Sequence, residues 1–323
     1  MKPLTKLLSL LLGVTYLHIP LHGFAQEYPN KPIRIVLPFP PGGGADVLMR
    51  PLSKKLTEIL GQPILLDNRP GANGNIGAEI VAKATADGYT LLVGNSSIPI
   101  SVGLYSQLNY DPLKDLTPII LLANTPSLLA ANPQFKAKTV AELITLAKKS
   151  PGQINYGSAG IGSTPHLGME MFSVATGTKF THIPYKGSGP AVTAAIGGEI
   201  DVLITNTATI LAQVQSNKLT PLASTTASRS ALLPNVPVIA ETVTGFELNT
   251  WYGLFGPGGL PRPIVDKLNT AFTKALNTPD IKQQLISMAY DPAASSPEAF
   301  MKLLRSDITL WSNVIKSTGV TAD

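Results

Sequence analysis

From Pro32 onward, short apolar runs alternate with amphipathic stretches long enough for a helix, and no other feature limits the fold as strongly. Ile33-Arg34-Ile35-Val36-Leu37 reads as a strand, and residues 47–60 carry helical spacing. Residues 63–66 then read as a strand, 76–86 as a helix and 90–93 as a third strand. Parallel neighbours need a long crossover, so strands separated by such helices predict a parallel sheet of βαβ units. The rhythm restarts after a strand at 118–122 and a crossing segment around 127–131. A helix over 139–149 has Thr139 as N-cap and Glu142 three residues on, the spacing of a capping box. Strands follow at 154–156, 181–183, 202–204 and 219–223, with helices after Ser163 and over 190–196. The tail is helical over 264–276 and 297–315.

Two similar halves followed by helices are packed most economically if the chain returns to the first half. The expected architecture is therefore α/β with two lobes, each a mostly parallel sheet flanked by helices, and a ligand cleft between them. Residues 26–126 and 248–323 form lobe 1, and 127–247 form lobe 2. Two crossing segments make such a cleft able to close around a ligand by hinge motion. With 44% hydrophobic and 14% charged residues in 323, the chain has the material for two cores and does not read as disordered.

The first 25 residues read as a signal peptide. Lys2 and Lys6 are followed by an apolar run over 7–12, and Gly23-Phe24-Ala25 offers small residues for cleavage after Ala25. The run is shorter than the ~20 residues of a membrane span. Export to the periplasm is expected. Residues 1–25 hold two lysines and no acid, so their removal lowers the net charge from +5 to +3. There is no basic run with interleaved aromatics, so nucleic acid is not an expected partner. The absence of cysteine excludes disulfides, thiolate metal sites and cysteine nucleophiles. His18 and His22 lie in the leader, which leaves His166 and His182, without metal-ligand spacing, and no G-x-S-x-G elbow is present. Catalysis, a metal and a cofactor are not expected.

Phe39, Pro40, Pro41, Gly42, Gly43, Gly44 and Asp46 lie between the first strand and the first helix, at the carboxyl end of a parallel strand where ligands bind. Glycines let backbone approach a ligand, prolines hold the loop's course, and the helix N-terminus adds partial positive charge, so the loop is an anion cradle. It lacks the Gly-Lys-Ser/Thr of a P-loop and the spacing of a dinucleotide fingerprint; a plain strand-to-helix turn, with Asp46 serving the helix start, is the other reading. Ser158, Ala159, Gly160, Ser163 and Thr164 repeat the device in the second half, where the hydroxyls either cap the helix or meet ligand oxygens. Asn95, Ser96 and Ser97, and Thr205 and Asn206, end strands with neutral hydrogen-bonding groups. Lys186 either adds charge to the site or is solvated. Trp251 and Tyr252 either wall the cleft or pack the junction. A bulky residue at Gly43 is expected to abolish capture.

At these loops the sequence resembles the Bug/TctC family of periplasmic solute-binding proteins related to tripartite tricarboxylate transporters. The matching stretches include YPNKPIRIVLPFPPGGGADVLMR (28–50), INYGSAGIGSTPHL (154–167), HIPYKGSGPA (182–191) and WYGLFGPGGLPRPIVDKLN (251–269), and they run in order along the chain after the leader. The resemblance implies a type II periplasmic-binding-protein fold. It implies a ligand carboxylate held between the two glycine loops through backbone amides, hydroxyls and water, with Asn95, Ser96, Ser97, Thr205 and Asn206 lining the space between. Many relatives place an aspartate where this chain has Thr205. Without that carboxylate, a plain mono- or dicarboxylate, aromatic or not, is expected in preference to an amino acid. The expected partners are a small organic acid and the membrane subunits of a tripartite tricarboxylate-type transporter, with the protein itself a monomer. A membrane sensor as client is the alternative.

Overall fold

In a computed structural model, residues 28–230 and 232–322 are described; the expected leader, residues 1–25, lies outside them. The first half runs β1 (Ile33–Leu37), α1 (Gly44–Leu60), β2 (Ile64–Asn68), α2 (Asn75–Ala82), β3 (Thr90–Asn95) and α3 (Ser97–Leu104). β1 pairs in parallel with both β2 and β3, Ile35 lying opposite Leu66 on one side and Leu91 on the other. Strands enclosed on both sides read as continuous apolar runs, which is why β1 was visible without alternation.

β4 (Leu116–Ala131) is one 16-residue strand, joining what the sequence read as a strand and a separate crossing segment. The second half follows as α4 (Val140–Lys149), β5 (Asn155–Ser158), α5 (Thr164–Thr176), β6 (Thr181–Pro184), α6 (Ser188–Gly197), β7 (Val202–Asn206), α7 (Thr207–Gln215) and β8 (Thr220–Ser224). Thr139 caps α4 as expected, accepting from the Glu142 amide at 3.2 Å, but the Glu142 carboxylate reaches one residue further back, to the Lys138 amide at 2.7 Å. β5 is parallel to β6 and β7, with Tyr156 opposite His182 and Val202.

The chain returns through β9 (Asn249–Pro257), then continues as α8 (Arg262–Leu276), α9 (Pro279–Ser287), β10 (Asp291–Pro292) and α10 (Pro297–Thr318). β9 runs antiparallel to β3 and to the first part of β4, while the second part of β4 pairs with β7 and β8. The strand order β2-β1-β3-β9-β4-β7-β5-β6 is thus two parallel halves joined through two antiparallel strands, flanked by helices. This is the expected α/β class. Among the described residues, no helix is long and apolar enough to cross a membrane.

One core gathers Ile35, Leu48, Leu91, Leu254 and Phe272; a second gathers Leu129, Tyr156, Leu167, Phe172 and Ile204. α10 serves more than one cluster. Its Phe300 and Leu304 pack with Val36, Leu92 and Trp251, whereas Trp311 and Ile315 pack in the second core beside Ile100 and Leu104 of α3. The last helix, counted with the first half on sequence grounds, therefore spans both.

Candidate functional site

The carboxyl ends of β1, β3, β5, β6 and β7 all lead directly into helices or helix-opening loops, and the starts of α1, α3, α5 and α6 border one cavity of about 620 Å³, its mouth included. Asn206, the N-cap of α7, borders it as well. Among the described residues, no lysine, arginine, aspartate or glutamate lines the cavity. Its charge character comes instead from helix N-termini, each carrying roughly half a positive elementary charge.

The first loop is held by its own hydrogen bonds. Asp46, 3% exposed, accepts the Gly42 amide at 2.9 Å and pairs with Arg50 at 2.9 Å. Gly43 donates to the Pro40 carbonyl at 3.2 Å, and the Asn68 amide fixes the Phe39 carbonyl at 2.9 Å. The amides of Gly44 and Ala45, in the uncapped first turn of α1, have no acceptor among the described residues, and both residues line the cavity. Gly44 is required: a Cβ there would overlap the Tyr252 hydroxyl.

The second loop is tied from beneath. Gly160 donates to Ser158 Oγ at 3.1 Å and Ser163 to the Gly160 carbonyl at 3.1 Å. Gly162 donates to His166 Nδ1 at 3.0 Å, while Ser158 Oγ meets His182 Nε2 at 2.6 Å. The rings of Tyr156, His182 and His166 form a stack, with centroids 4.8 Å and 4.0 Å apart. Burial, with His182 alongside, brings the His166 pKa down to about 3; burial brings His182 down to about 4. Both rings are neutral at ordinary pH and are spent on holding the loop. Ala159 and Thr164 remain, their amides without acceptors among the described residues, and both line the cavity. Ser188 and Gly189 add the uncapped first turn of α6.

Of the residues singled out in the sequence, Phe39, Pro40, Pro41, Gly43, Gly44, Asn95, Ser97, Ala159, Ser163, Thr164 and Asn206 border this one cavity. Gly42, Asp46, Ser96, Ser158, Gly160 and Thr205 do not; the bonds above show Gly42, Asp46, Ser158 and Gly160 shaping the loops, and Ser96 Oγ accepts the Trp251 amide at 3.2 Å. Ser163 both lines the cavity and caps α5. Lys186 is exposed and outside the lining. Tyr252 walls the cavity, whereas Trp251 packs against Phe300. Sequence reading did not single out Asn73, Ser188 or Thr250. Asn73, at φ +52°, donates its side-chain amide to the Gly162 carbonyl at 2.8 Å and so ties the two halves together. Its Asn-Gly dipeptide, Asn73-Gly74, was the available sign of such a turn.

A larger groove, about 1,980 Å³ with its open side, lies past Trp251; its acids Glu247, Asp291 and Asp307 outnumber its one arginine, Arg229, which is already paired with Glu241, so it suits an acid less well. The converging unspent amides make the smaller cavity the better suited of the two to an anion.

Residues 48–320 match the family described as "Tripartite tricarboxylate transporter family receptor", TctC. "Protein BugT" of Bordetella pertussis is 36% identical over 298 residues, covering 91% of each chain. Among solved structures, "R. palustris Rpa4515 with adipate" superposes with a TM-score of 0.89 at 35% identity, covering 91% of this chain and 99% of that one. The periplasmic binding protein BugD gives 0.87 at 31% identity, with 91% and 99% covered. MatC of Rhodopseudomonas palustris with bound malate gives 0.84 at 31% identity, with 89% and 100% covered.

Proposed function

The chain belongs to the TctC, or Bug, family of tripartite tricarboxylate transporter receptors, and from that premise we propose that it captures a small organic acid in the cavity between its glycine loops and delivers it to the membrane subunits of a tripartite tricarboxylate-type transporter. The observation that carries the reading is the convergence of unspent first-turn amides, from Gly44, Ala45, Thr164, Ser188 and Gly189, on a cavity without a charged side chain. Such a site attracts an anion through fixed dipoles and leaves no bare ion buried when it is empty. It offers no carboxylate to an ammonium group, so it favours a plain mono- or dicarboxylate over an amino acid. The adipate and malate of the two neighbouring structures fit that class.

The ligand-binding set in this reading is Phe39, Pro40, Pro41, Gly43, Gly44, Asn95, Ser97, Ala159, Ser163, Thr164 and Asn206, with Gly42, Asp46, Ser96, Ser158, Gly160 and Thr205 acting behind them. Lobes of 26–126 with 248–323, and 127–247, close as a monomer about the two crossing strands. Export uses residues 1–25. Binding without turnover is the expected chemistry, since both remaining histidines serve the loop.

Calorimetry and thermal melting of the purified protein against a panel of organic acids test this. A bound acid at a hundred times its Kd stabilises the fold by about 2.7 kcal/mol. Gly44→Ala, whose Cβ meets Tyr252, is expected to abolish that gain and, because the buried ring must shift, to lower the unliganded melting temperature while the protein still unfolds cooperatively. The same substitution strains the loop more than one at Gly43, where a Cβ meets only the Pro40 carbonyl, at 3.2 Å, and Phe39. Failure of every acid to bind, or an unaffected Gly44→Ala, rejects the reading.

A further inference from the structure

Thr250 and Tyr252 belong to neither glycine loop, yet both line the cavity. They stand two residues apart on β9, so strand alternation turns both toward the ligand. Trp251 between them faces α10 and donates its indole N–H to Asp307 at 2.7 Å. Thr250 is 2% exposed, and its Oγ1 has no hydrogen-bond partner among the described residues. A valine would fill the same space without stranding a polar group, so the hydroxyl is costly in the empty protein and useful only when something else arrives to meet it.

Tyr252 is poised in a related way. Its Oη accepts the Asn206 side-chain amide at 2.6 Å, and Asn206 Oδ1 takes the Ser127 hydroxyl at 3.3 Å. Those two bonds orient the amide and leave the phenol proton of Tyr252 to be donated elsewhere. Burial holds that phenol well above the ordinary tyrosine range, so the proton stays in place.

The geometry points to a second oxygen-binding subsite on β9, in which Thr250 and Tyr252 donate their hydroxyl protons to a second carboxylate of the ligand. This rests on the reading above, in which loop amides hold the first carboxylate. Because no cationic side chain lines the cavity, hydroxyl donors rather than ion pairs distinguish a diacid from a monoacid. A site built with buried donors rejects an analogue that leaves them unpaired.

Calorimetry with matched pairs, succinate and butyrate, glutarate and pentanoate, adipate and hexanoate, tests the subsite. For at least one pair the wild-type protein is expected to prefer the diacid by about tenfold or more, the worth of one good hydrogen bond to a charged group. Thr250→Val and Tyr252→Phe should each reduce that diacid-to-monoacid ratio by about tenfold. Thr250→Ser, which restores the hydroxyl, should keep it. Equal preference in the wild type, or a ratio unchanged in Thr250→Val, overturns the subsite while leaving carboxylate capture standing. Binding of no acid in any pair overturns the capture reading itself.

Discussion

Neutral histidine is the device that shapes the second loop. His166 must keep Nδ1 unprotonated to accept the Gly162 amide, and its ring lies 4.0 Å from that of His182. The folded pKa values, about 3 and about 4, lie below the ~6.5 of a free imidazole. Between pH 6.5 and 4, therefore, the unfolded chain binds more protons than the folded one, and stability falls as pH falls. For the 6%-exposed His166 the slope approaches about 1.4 kcal/mol per pH unit in that window. Urea unfolding at steps from pH 7 to 4 should show the decline, and His166→Gln should flatten part of it; a slope identical in the variant contradicts the assignment. Across the cleft, Asn73 makes a bond from side-chain amide to Gly162 carbonyl that exists only with the halves together. Asn73→Ala should raise the ligand dissociation rate by roughly fivefold, about 1 kcal/mol, in stopped-flow measurements. That the two glycine-rich loops border one cavity was legible, since a Gly-rich loop after a strand announces its use; that Gly44 rather than Gly43 has no room for a Cβ was not. Asn73 and Thr250 were not legible as site residues, and Tyr252 was legible only as walling the cleft or packing the junction, because all three meet the loops through long-range packing.

At the scale of elements, the parallel strands and most of their helices were readable from period and length, while α7 and α9 were not read. β9 was missed because every residue but Asn249 is buried, which removes alternation, and its two glycines read as loop. Those glycines have packing reasons: a Cβ at Gly253 would overlap the Phe300 ring, and one at Gly256 would press on Leu260 at 2.6 Å. α3 was missed for the same cause, being buried on nearly all sides, with no polar face to betray helical period. α10 was found, but not where its far end goes. Trp311, 3% exposed, sits in the second core. Trp311→Ala should cost roughly 3 kcal/mol in denaturant unfolding, the range for truncating a buried aromatic. Leu310→Ala beside it, 52% exposed, should cost well under 1 kcal/mol.

For the whole molecule, the two crossings are hydrogen-bonded to each other as neighbouring strands, β4 and β9, rather than being loose linkers. Relative motion of the halves then means bending or twisting this ribbon. Small-angle scattering should show a larger radius of gyration without ligand than with a bound acid; equal values argue against closure. A further consequence follows from α10. Trp311 and Ile315 complete a core whose other members begin near Ile100, so the second half is sealed only when segments far apart along the chain have met. Until they dock, that half has no finished interior. Completion of the second half is thereby tied to the first, because the same helix also packs there through Phe300 and Leu304.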